Sequence, residues 1–531
     1  MPLVHNPILP GFNPDPSIIR VGEDYYIATS TFEWFPGVQI HHSRDLANWA
    51  LVARPLNEAR LLDMRGNPDS GGIWAPCLSY ADGLFWLVYT DVKRQQGSFK
   101  DVFNYVTTAP SIEGPWSDPV YLNATGFDPS LFHDDDGKKY LLNMIWDHRA
   151  RPKTFAGIAL QEYDPQSGEL VGPEHNIFKG SDLGLVEGSH LYKRNGWYYL
   201  LTAEGGTGTG HAATLARSRD LLGPYEMHPD VHILTTKDTP LHPIQRAGHG
   251  DIVETPDGVP YLVHLMSRPV THKHRSILGR ETAIQRCEWR DDDWLYVIQG
   301  PLPALEVEVP GTPLPRPKEK LYAFAAGRPL DSDFQWLRTP LPERIFSLDN
   351  CPGALRLFGR ESIGSWFEQA LVARRQTDLD FSAATMLEFS PRNEREMAGL
   401  TAYYGRHAFY YACVSAHSDG QRELLLTGAV AENRGGHLAW LADPIRLPQE
   451  GAIHLAMRMK NARLQFYYSV TSPDDLIPLG PELDGSILSD EASVAVGGGS
   501  FTGNFVGMAA QDLNGKGRPA DFLMFRYRSE V

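Results

Sequence analysis

The sequence predicts an all-β protein in which a five-bladed β-propeller is followed by a β-sandwich. Three observations carry this prediction: a strand–turn–strand segment recurs five times, a proline-rich stretch follows it, and alternating strand patterns come after that. Aromatic residues make up 11% of the 531 residues, alongside 49 Gly and 40 Pro, which favours short strands and turns over long helices. This composition disfavours an all-helical fold and excludes intrinsic disorder.

The recurring segment starts at five anchor residues that lie 59, 54, 59 and 62 residues apart. The anchors are Asp15, Trp74, Asp128, Glu187 and His249. Nine positions after the anchor, four copies carry Gly83, Gly137, Gly196 and Gly258, and the first copy carries Asp24 with Gly22 just before it. Because Gly and Asp suit tight hairpin turns, each copy is predicted to form a strand, a turn and a second strand.

A weaker second repeat follows most copies, in segments that begin at His41, Thr107 and Ala216. It predicts an outer hairpin of the same unit. Four strands per unit, repeated five times at roughly 50–60 residues, are typical of a β-propeller, whose blades pack on their neighbours. Corresponding positions of the blades face one central axis, so we expect the five anchors to converge at one mouth of the channel.

A domain boundary is predicted near residue 310. Residues 306–320 read EVEVPGTPLPRPKEK, and the four prolines are typical of a stiff linker. We therefore assign residues 1–308 to the propeller, 309–320 to the linker and 321–531 to the sandwich.

Alternating apolar residues predict the strands of the second domain. Apolar residues alternate from Ile453 to Met459, and the alternation resumes from Leu464 to Tyr468. The four residues KNAR separate the two runs, which predicts a hairpin with a four-residue connection. Near the chain end, Leu523, Phe525 and Tyr527 alternate against Arg526 and Arg528. This pattern indicates an antiparallel β-sandwich, and no catalytic motif is visible in it.

The charge and the cysteines exclude several function classes. The formal net charge of −16 disfavours a nucleic acid or an anionic membrane as the partner. The four cysteines are far apart and lack CxxC spacing, which argues against a disulfide framework and a structural zinc site. No apolar run of about 18 residues and no signal-like N-terminus is present, so we expect a soluble cytoplasmic protein. We predict no cofactor and no metal site.

Three of the anchors, Asp15, Asp128 and Glu187, are carboxylic acids. Glycoside hydrolysis needs one acid to protonate the leaving oxygen and a second carboxylate to activate water or attack carbon. A single Asp-Pro pair, such as Asp15-Pro16, is as often only the start of a turn. Three acids at equivalent blade positions, however, would face one another without cationic partners, at a cost that a purely structural site would avoid.

The other two anchors also allow two interpretations. Trp74 is either a core residue or a flat apolar platform for a sugar ring, and its anchor position favours the platform. His249 is expected to be a hydrogen-bonded residue of the cavity floor rather than a metal ligand, because no second ligand lies at suitable spacing in that copy.

Six motifs together resemble glycoside hydrolase family 43, and within it the two-domain β-xylosidases. They are NPDPS, GFDPSLF, EGSHLYK, AGHGDIV, GRETAIQ and GGGSFTGNFVGMAAQD, in the order of the family. The resemblance covers nearly the whole chain. It implies a five-bladed propeller followed by a sandwich, in agreement with the repeat pattern.

The resemblance also implies residue roles. Asp15 would be the general base, Glu187 the general acid, and Asp128 the carboxylate that positions the acid and raises its pKa. The sugar pocket would be formed by Phe32, Trp74, Thr207, His249 and Arg280, with Arg280 contacting sugar hydroxyls. One phenylalanine of SFTGNF, Phe501 or Phe505, would reach over from the sandwich, and we include Phe505 in the predicted site.

The implied activity is exo-acting, inverting release of D-xylose from the non-reducing end of small xylo-oligosaccharides, with α-L-arabinofuranosidase side activity. Inversion predicts a carboxyl separation between Asp15 and Glu187 of ~6.5–9.5 Å. The segment before Arg280 is shorter than the resemblance leads us to expect, which leaves open a dedicated α-L-arabinofuranosidase. A catalytically inactive sugar-binding propeller is the alternative outside enzymes. The resemblance is also compatible with a homo-oligomer.

Overall fold

The computed structural model describes residues 1–149, 154–429, 438–495 and 499–530. In these ranges the N-terminal part of the chain forms five antiparallel sheets of four strands each, which are the blades of a propeller. The strands up to the end of this part are β1 (Leu3–His5), β2 (Ser17–Val21), β3 (Asp24–Thr29), β4 (Trp34–Phe35), β5 (Gln39–Ser43), β6 (Ala50–Ala53), β7 (Gly72–Ala81), β8 (Leu84–Arg94), β9 (Asp101–Ala109), β10 (Val120–Asn123), β11 (Ser130–His133), β12 (Lys139–Trp146), β13 (Phe155–Asp164), β14 (Glu169–Phe178), β15 (Glu187–Arg194), β16 (Trp197–Glu204), β17 (Ala212–Ser218), β18 (Glu226–Thr235), β19 (Gln245–Glu254), β20 (Pro260–Ser267), β21 (Glu281–Trp289), β22 (Leu295–Val297) and β23 (Glu306–Glu308).

The blades are the predicted repeats. The sheets are β2-β3-β5-β6, β7 to β10, β11 to β14, β15 to β18 and β19 to β22, and the innermost strand of each contacts that of the next around the ring. The inner hairpins turn at Gly22, Gly83, Gly137, Gly196 and Gly258, all with φ between 62° and 85°. Because this left-handed backbone region favours glycine, the predicted turns and the five-bladed architecture are confirmed.

The ends of the propeller part are joined to each other. Strand β1 pairs antiparallel with β23, with Leu3 opposite Glu308. The side chain of Asn6 donates to the carbonyls of Ile284 and Ala304, both at 2.9 Å. These contacts fix the start of the chain against the last blade, directly before the segment that leads to Asp15.

The C-terminal part is a β-sandwich of two antiparallel sheets. Its strands are β24 (Glu319–Tyr322), β25 (Phe334–Leu337), β26 (Phe346–Ser347), β27 (Leu355–Phe358), β28 (Ala370–Arg375), β29 (Phe381–Glu388), β30 (Glu396–Gly405), β31 (Ala408–Ala416), β32 (Arg422–Ala429), β33 (Leu438–Trp440), β34 (Ile445–Arg446), β35 (Ile453–Lys460), β36 (Arg463–Ser469), β37 (Ile477–Asp484), β38 (Phe505–Asp512) and β39 (Pro519–Ser529). Two 3-10 turns (Pro342–Arg344, Gly485–Ile487) and one helix, α1 (Asp490–Ala495), complete the described elements. In those ranges no helix is long and apolar enough to span a membrane.

Two details of the sandwich differ from the sequence pattern. The hairpin of β35 and β36 turns on Asn461 and Ala462 alone, both with positive φ, so the connection has two residues rather than four. In β39 the register shifts opposite Met386 and Leu387, and the buried face carries Phe522 and Phe525 instead of Leu523. A bulge of this kind breaks strict alternation.

The sandwich docks on the first blade. Strand β4 lies between β3 and β5 in the chain but pairs with β25 of the sandwich, with Phe35 opposite Trp336. A second contact between the domains lies just before β38. The carbonyl of Thr502 is so close to Gly279 that a Cβ added to this glycine would lie 2.3 Å from it. The loop before β38 therefore packs against the loop before β21 at the channel mouth.

Candidate active site

All five anchors line one cavity of about 460 Å³ at a mouth of the propeller channel. Asp15 and Asp128 lie two residues before β2 and β11, Glu187 begins β15, and Trp74 and His249 lie within β7 and β19. The described lining residues are Asp15, Phe32, Trp74, Gln95, Gln96, Lys100, Phe127, Asp128, Trp146, Phe155, Glu187, Gly206, Thr207, His249, Arg280, Val494, Gly499, Ser500 and Phe501. The repeat thus identified the shared cavity from the sequence alone.

Asp15 is buried and surrounded by hydrogen-bond donors. Ser30 Oγ donates to Oδ2 at 2.6 Å, Arg280 Nη1 donates to Oδ1 at 2.9 Å, and His249 Nδ1 lies 3.5 Å from Oδ1. Burial raises the pKa of Asp15, but Arg280, His249 and Ser30 together hold that pKa well below its usual range. The Asp15 side chain is therefore an ionised carboxylate.

Asp128 and Glu187 have the opposite electrostatics. Burial first, and then the charge of Asp15, raise the pKa of Asp128 to about 6. Burial, Asp128 and Asp15, in that order, raise the pKa of Glu187 well above its usual value. Because neighbouring buried carboxyls resist ionising together, the proton resides on the Asp128–Glu187 pair.

Arg280 corrects one expectation from the sequence. The acids were expected to lack a cationic partner, and Arg280 was expected to contact sugar hydroxyls. The guanidinium of Arg280 pairs with Asp15, so the acids do have a cationic partner, and its Nη2 donates to the carbonyl of Phe501 at 2.9 Å. Arg280 also lines the cavity, and its contact with sugar hydroxyls stays a prediction. The sequence pattern did not reveal this pair, because 265 residues separate the two side chains.

An aromatic wall faces the carboxylates. The ring of Trp74 lies 5.8 Å from that of Phe32, 5.4 Å from that of Phe127 and 5.6 Å from that of Phe501, measured between centroids. Trp74 Nε1 donates to the carbonyl of Ser70 at 2.9 Å, which fixes the indole. Flat apolar rings beside buried acids are suited to the apolar face of a sugar.

The prediction for Phe505 is wrong, and Phe501 takes its place. Phe505 is the first residue of β38, is 0% exposed and stacks on Trp34 with ring centroids 3.6 Å apart. It belongs to the core between propeller and sandwich and does not line the cavity. Phe501 lies in the loop before β38, where the chain is free to reach over the mouth.

The Phe501 loop is held by a buried carboxylate. Asp490, in the first turn of α1, accepts from the Phe501 N–H at 3.0 Å and from the hydroxyl of Tyr404. Arg246 of β19 donates to the same carboxylate at 3.0 Å. A propeller residue therefore fixes the position of a sandwich residue at the cavity.

The remaining predicted residues also line the cavity. Thr207 lies in the loop between β16 and β17. Burial alone would lower the pKa of His249, but its contact with Asp15 raises it above the usual value. A Cβ on Gly188 would lie 2.7 Å from the His249 ring, so this ring packs directly on the backbone next to Glu187.

Sequence reasoning missed a group of residues in the loop between β8 and β9, inside the second blade. The Lys100 ammonium lies 4.3 Å from the ring centroid of Trp146, and Gln95 and Gln96 belong to the same loop between β8 and β9. The repeat fixes the anchors and the inner turns but not the residues of the loop that joins the second and third strands of a blade, so it gave no signal for these side chains. Phe127 was identifiable, because it directly precedes an anchor.

Within the described residues, no group of three or more His, Cys, Asp or Glu side chains has an arrangement that could hold a metal ion.

Comparison with models of known protein families shows which family the chain belongs to. The model for Glycosyl hydrolases family 43 matches residues 4–295. The chain belongs to this family. A second model, the Beta xylosidase C-terminal Concanavalin A-like domain, matches residues 322–528. The two matches cover the propeller and the sandwich of this family 43 protein.

The similarity to named proteins extends over both domains. The chain is 63% identical to Xylosidase/arabinosidase 43B of Humicola insolens, over 99% of this chain and 98% of the relative. It is 48% identical to Beta-xylosidase of Bacillus subtilis (strain 168), over 99% and 100%. The crystal structure of xylan beta-1,4-xylosidase from Bacillus halodurans C-125 superposes with a TM-score of 0.95 at 50% identity, covering 99% of this chain and 100% of that one.

Proposed function

We propose that this family 43 enzyme is an exo-acting, inverting glycosidase that releases D-xylose from the non-reducing end of xylo-oligosaccharides. The observation that carries the proposal is the split in carboxyl pKa within one cavity. Asp15 is held ionised while the pKa of Glu187 is raised. Two carboxyls whose environments separate their pKa values in this way are suited to act as base and acid.

In this proposal Asp15 accepts a proton from a water molecule that attacks the anomeric carbon. Glu187 donates its proton to the glycosidic oxygen as the bond to the leaving group breaks. Asp128 does not exchange a proton with the substrate; its like charge keeps Glu187 protonated. The ion pair with Arg280 makes Asp15 a weak base, so the acid supplies much of the driving force.

The shape of the cavity supports attack on a terminal sugar. The Phe501 loop of the sandwich and the aromatic wall of Trp74 and Phe32 enclose one side. A pocket covered in this way accepts a chain end more readily than the middle of a polymer. Xylose as the terminal sugar is supported by the names of the similar proteins from Bacillus subtilis and Bacillus halodurans.

We also propose a side activity on α-L-arabinofuranosides. The relative that is 63% identical carries both activities in its name, xylosidase and arabinosidase. A dedicated arabinofuranosidase is less well supported, because the similar proteins above share the word xylosidase. An inactive sugar-binding propeller would have no use for three buried acids at this cost.

The deciding experiment is proton NMR of the protein acting on 4-nitrophenyl β-D-xylopyranoside, with the α-L-arabinofuranoside in parallel. We expect α-xylose to appear first, and faster than arabinose. Initial β-xylose would overturn inversion. Release from the arabinofuranoside alone would assign the dedicated activity, and no release from either would favour a binding protein.

The proposal includes three further expectations. Residues 1–308 would form the catalytic domain, 309–320 the linker and 321–531 the accessory domain; β24, which starts at Glu319, already pairs with β39. A cytoplasmic location is supported by the four cysteines, which are all free thiols. A homo-oligomer, suggested by the family resemblance, is tested by analytical ultracentrifugation.

A further inference from the structure

A second cavity lies between the propeller and the sandwich. Its volume is about 240 Å³, and in the described ranges it shares no lining residue with the catalytic cavity. His41 and Arg54 line it from the first blade, Arg374 and Arg375 line it from β28, and Arg316 comes from the connecting segment. We name it the interdomain cavity.

The lining of the interdomain cavity is strongly cationic. Among the described residues it presents four guanidinium groups, those of Arg54, Arg316, Arg374 and Arg375, and one carboxylate, that of Asp333. The hydrogen bonds that these guanidinium groups make to described residues go to neutral carbonyl, amide and hydroxyl oxygens. Asp333 offsets only part of this charge, because it faces the Arg374 cation but also accepts from Lys320 and Tyr322.

Such an excess of positive charge is costly at the buried side chains of the lining, those of Arg374 and Arg375. Burial and the neighbouring Arg54 lower the pKa of Arg375 well below its usual value. Burial lowers the pKa of Arg54 to about 10, and burial with both arginines lowers the pKa of His41 to about 3. The cations therefore destabilise one another across the cavity, in a chain whose net charge is −16.

Several donors in this cavity have no acceptor. Arg375 is 6% exposed, and its Nη2 has no hydrogen-bond partner among the described residues. The same holds for the buried Nε of Arg54. The buried Nδ1 of His41, which donates or accepts according to the tautomer of the neutral ring, also has no partner among the described residues. Unsatisfied guanidinium donors on both domains point to a ligand that accepts several hydrogen bonds and carries negative charge.

We propose that the interdomain cavity binds a small inorganic oxyanion with the chemistry of phosphate or sulfate. The anion accepts from Arg54 of the propeller and from Arg375 of the sandwich, and Arg316 and Arg374 complete its surroundings. Arginine suits this role because its planar donors match the oxygen atoms of such anions.

The anion would brace the segment that carries the proposed base. Arg375 Nε donates to the carbonyl of Phe12 at 2.6 Å, and Asn13, which lines the cavity, donates its N–H to the carbonyl of Arg280 at 3.0 Å. Asp15 follows two residues later. Binding would thus lock the two domains together beside the catalytic cavity without contact with the substrate.

Isothermal titration calorimetry with inorganic phosphate tests the proposal, with chloride at matched ionic strength as the reference. We expect saturable binding to the wild-type protein, weakened at least about tenfold in Arg54→Gln and in Arg316→Gln, since each removes a charge-assisted hydrogen bond. Arg316 is exposed, so its variant is expected to fold. Arg328→Gln, an exposed arginine outside the cavity, is the matched control and should bind phosphate as the wild type does.

Thermal unfolding gives a second readout. Bound phosphate should raise Tm more in the wild type and in Arg328→Gln than in Arg316→Gln. Phosphate also stabilises folded proteins in general, but that effect is the same in all three proteins and cancels when their Tm shifts are compared. Sulfate should act as phosphate does. The proposal would be overturned by the absence of saturable binding, by phosphate binding in Arg54→Gln and Arg316→Gln as tight as in the wild type, or by an effect of chloride equal to that of phosphate.

Discussion

Arg280 Nη1 donates to Asp15 Oδ1 across 2.9 Å, and both side chains are almost fully buried. This pair divides the three cavity acids into two classes. The acid beside the guanidinium stays ionised, while Asp128 and Glu187 bear the repulsion of that fixed negative charge. The asymmetry that a base and an acid require therefore depends most on Arg280, the residue directly before β21, with His249 and Ser30 acting in the same direction.

Removing Arg280 should shift the acid limb of the pH profile. In Arg280→Met the carboxylate of Asp15 loses its main cation, so its pKa rises and the acid limb of kcat/KM moves to higher pH, with a lower maximum. The measurement is kcat/KM for an aryl xyloside across the pH range. Arg268→Met, which removes the partner of Glu281 outside the cavity, is the control and should leave the limb in place. If the acid limb of kcat/KM stayed in place in Arg280→Met, the assignment of Asp15 as the base would be wrong.

Replacing Glu187 should affect substrates according to their leaving group. In Glu187→Gln no proton is available for the sugar leaving group of xylobiose, so kcat should fall by about 10²-fold or more. The 4-nitrophenyl xyloside should lose much less, because 4-nitrophenolate leaves without protonation. Glu204→Gln changes another buried carboxyl of the same blade outside the cavity and should keep the ratio of the two rates. Equal losses on both substrates would contradict the role of Glu187 as the acid.

Replacing Asp128 should shift the alkaline limb. In Asp128→Asn a negative neighbour of Glu187 disappears, so the charged form of Glu187 becomes easier to reach and its pKa falls. The alkaline limb of kcat/KM should then move to lower pH while the acid limb stays. A purely structural Asp128 would change the rate without moving either limb.

The same variant should be more stable than the wild type at neutral pH. The folded-state pKa of Asp128, about 6, exceeds the ordinary value of 3.8, so the folded state binds this proton more tightly and loses stability as pH rises from about 4 to about 6. Two pKa units correspond to about 3 kcal/mol, which Asn recovers at pH 7. Asp15, with a lowered pKa, acts in the opposite sense. Tm measured at pH 7 should be higher in Asp128→Asn, and the difference should vanish near pH 4; a lower Tm at pH 7 would refute this account.

The propeller and the position of its cavity could be read from the sequence because a blade repeat imposes geometry. Glycine at a fixed distance from each anchor marks the turn, and the anchor then lies at the axis whatever the rest of the blade contains. The acids Asp15, Asp128 and Glu187 followed from this rule. Lys100 did not, because it lies in the loop between the second and third strands of its blade, where the repeat leaves no recurring residue.

Contacts between distant segments were also hidden. The pair of Arg280 with Asp15 and the bond from Arg246 to Asp490 join residues more than 200 positions apart, and no periodicity encodes such a distance. The choice between Phe501 and Phe505 depended on where β38 begins. A phenylalanine in a strand is drawn into the core, and one in the loop before it is free to line a cavity, but a strand boundary is the least certain part of a sequence pattern.

These two phenylalanines give a matched pair of variants. Phe505→Ala removes a fully buried ring that stacks on Trp34, so it should lower the free energy of unfolding by about 3–5 kcal/mol. Phe501→Ala removes a ring from the cavity wall, so the substrate has less apolar surface to pack against; kcat/KM should fall by roughly 10-fold or more through a higher KM, and Tm should change little. Thermal unfolding and steady-state kinetics of both variants check the assignment. A large Tm loss with normal KM in Phe501→Ala would show that this loop holds the domains together instead of shaping the cavity.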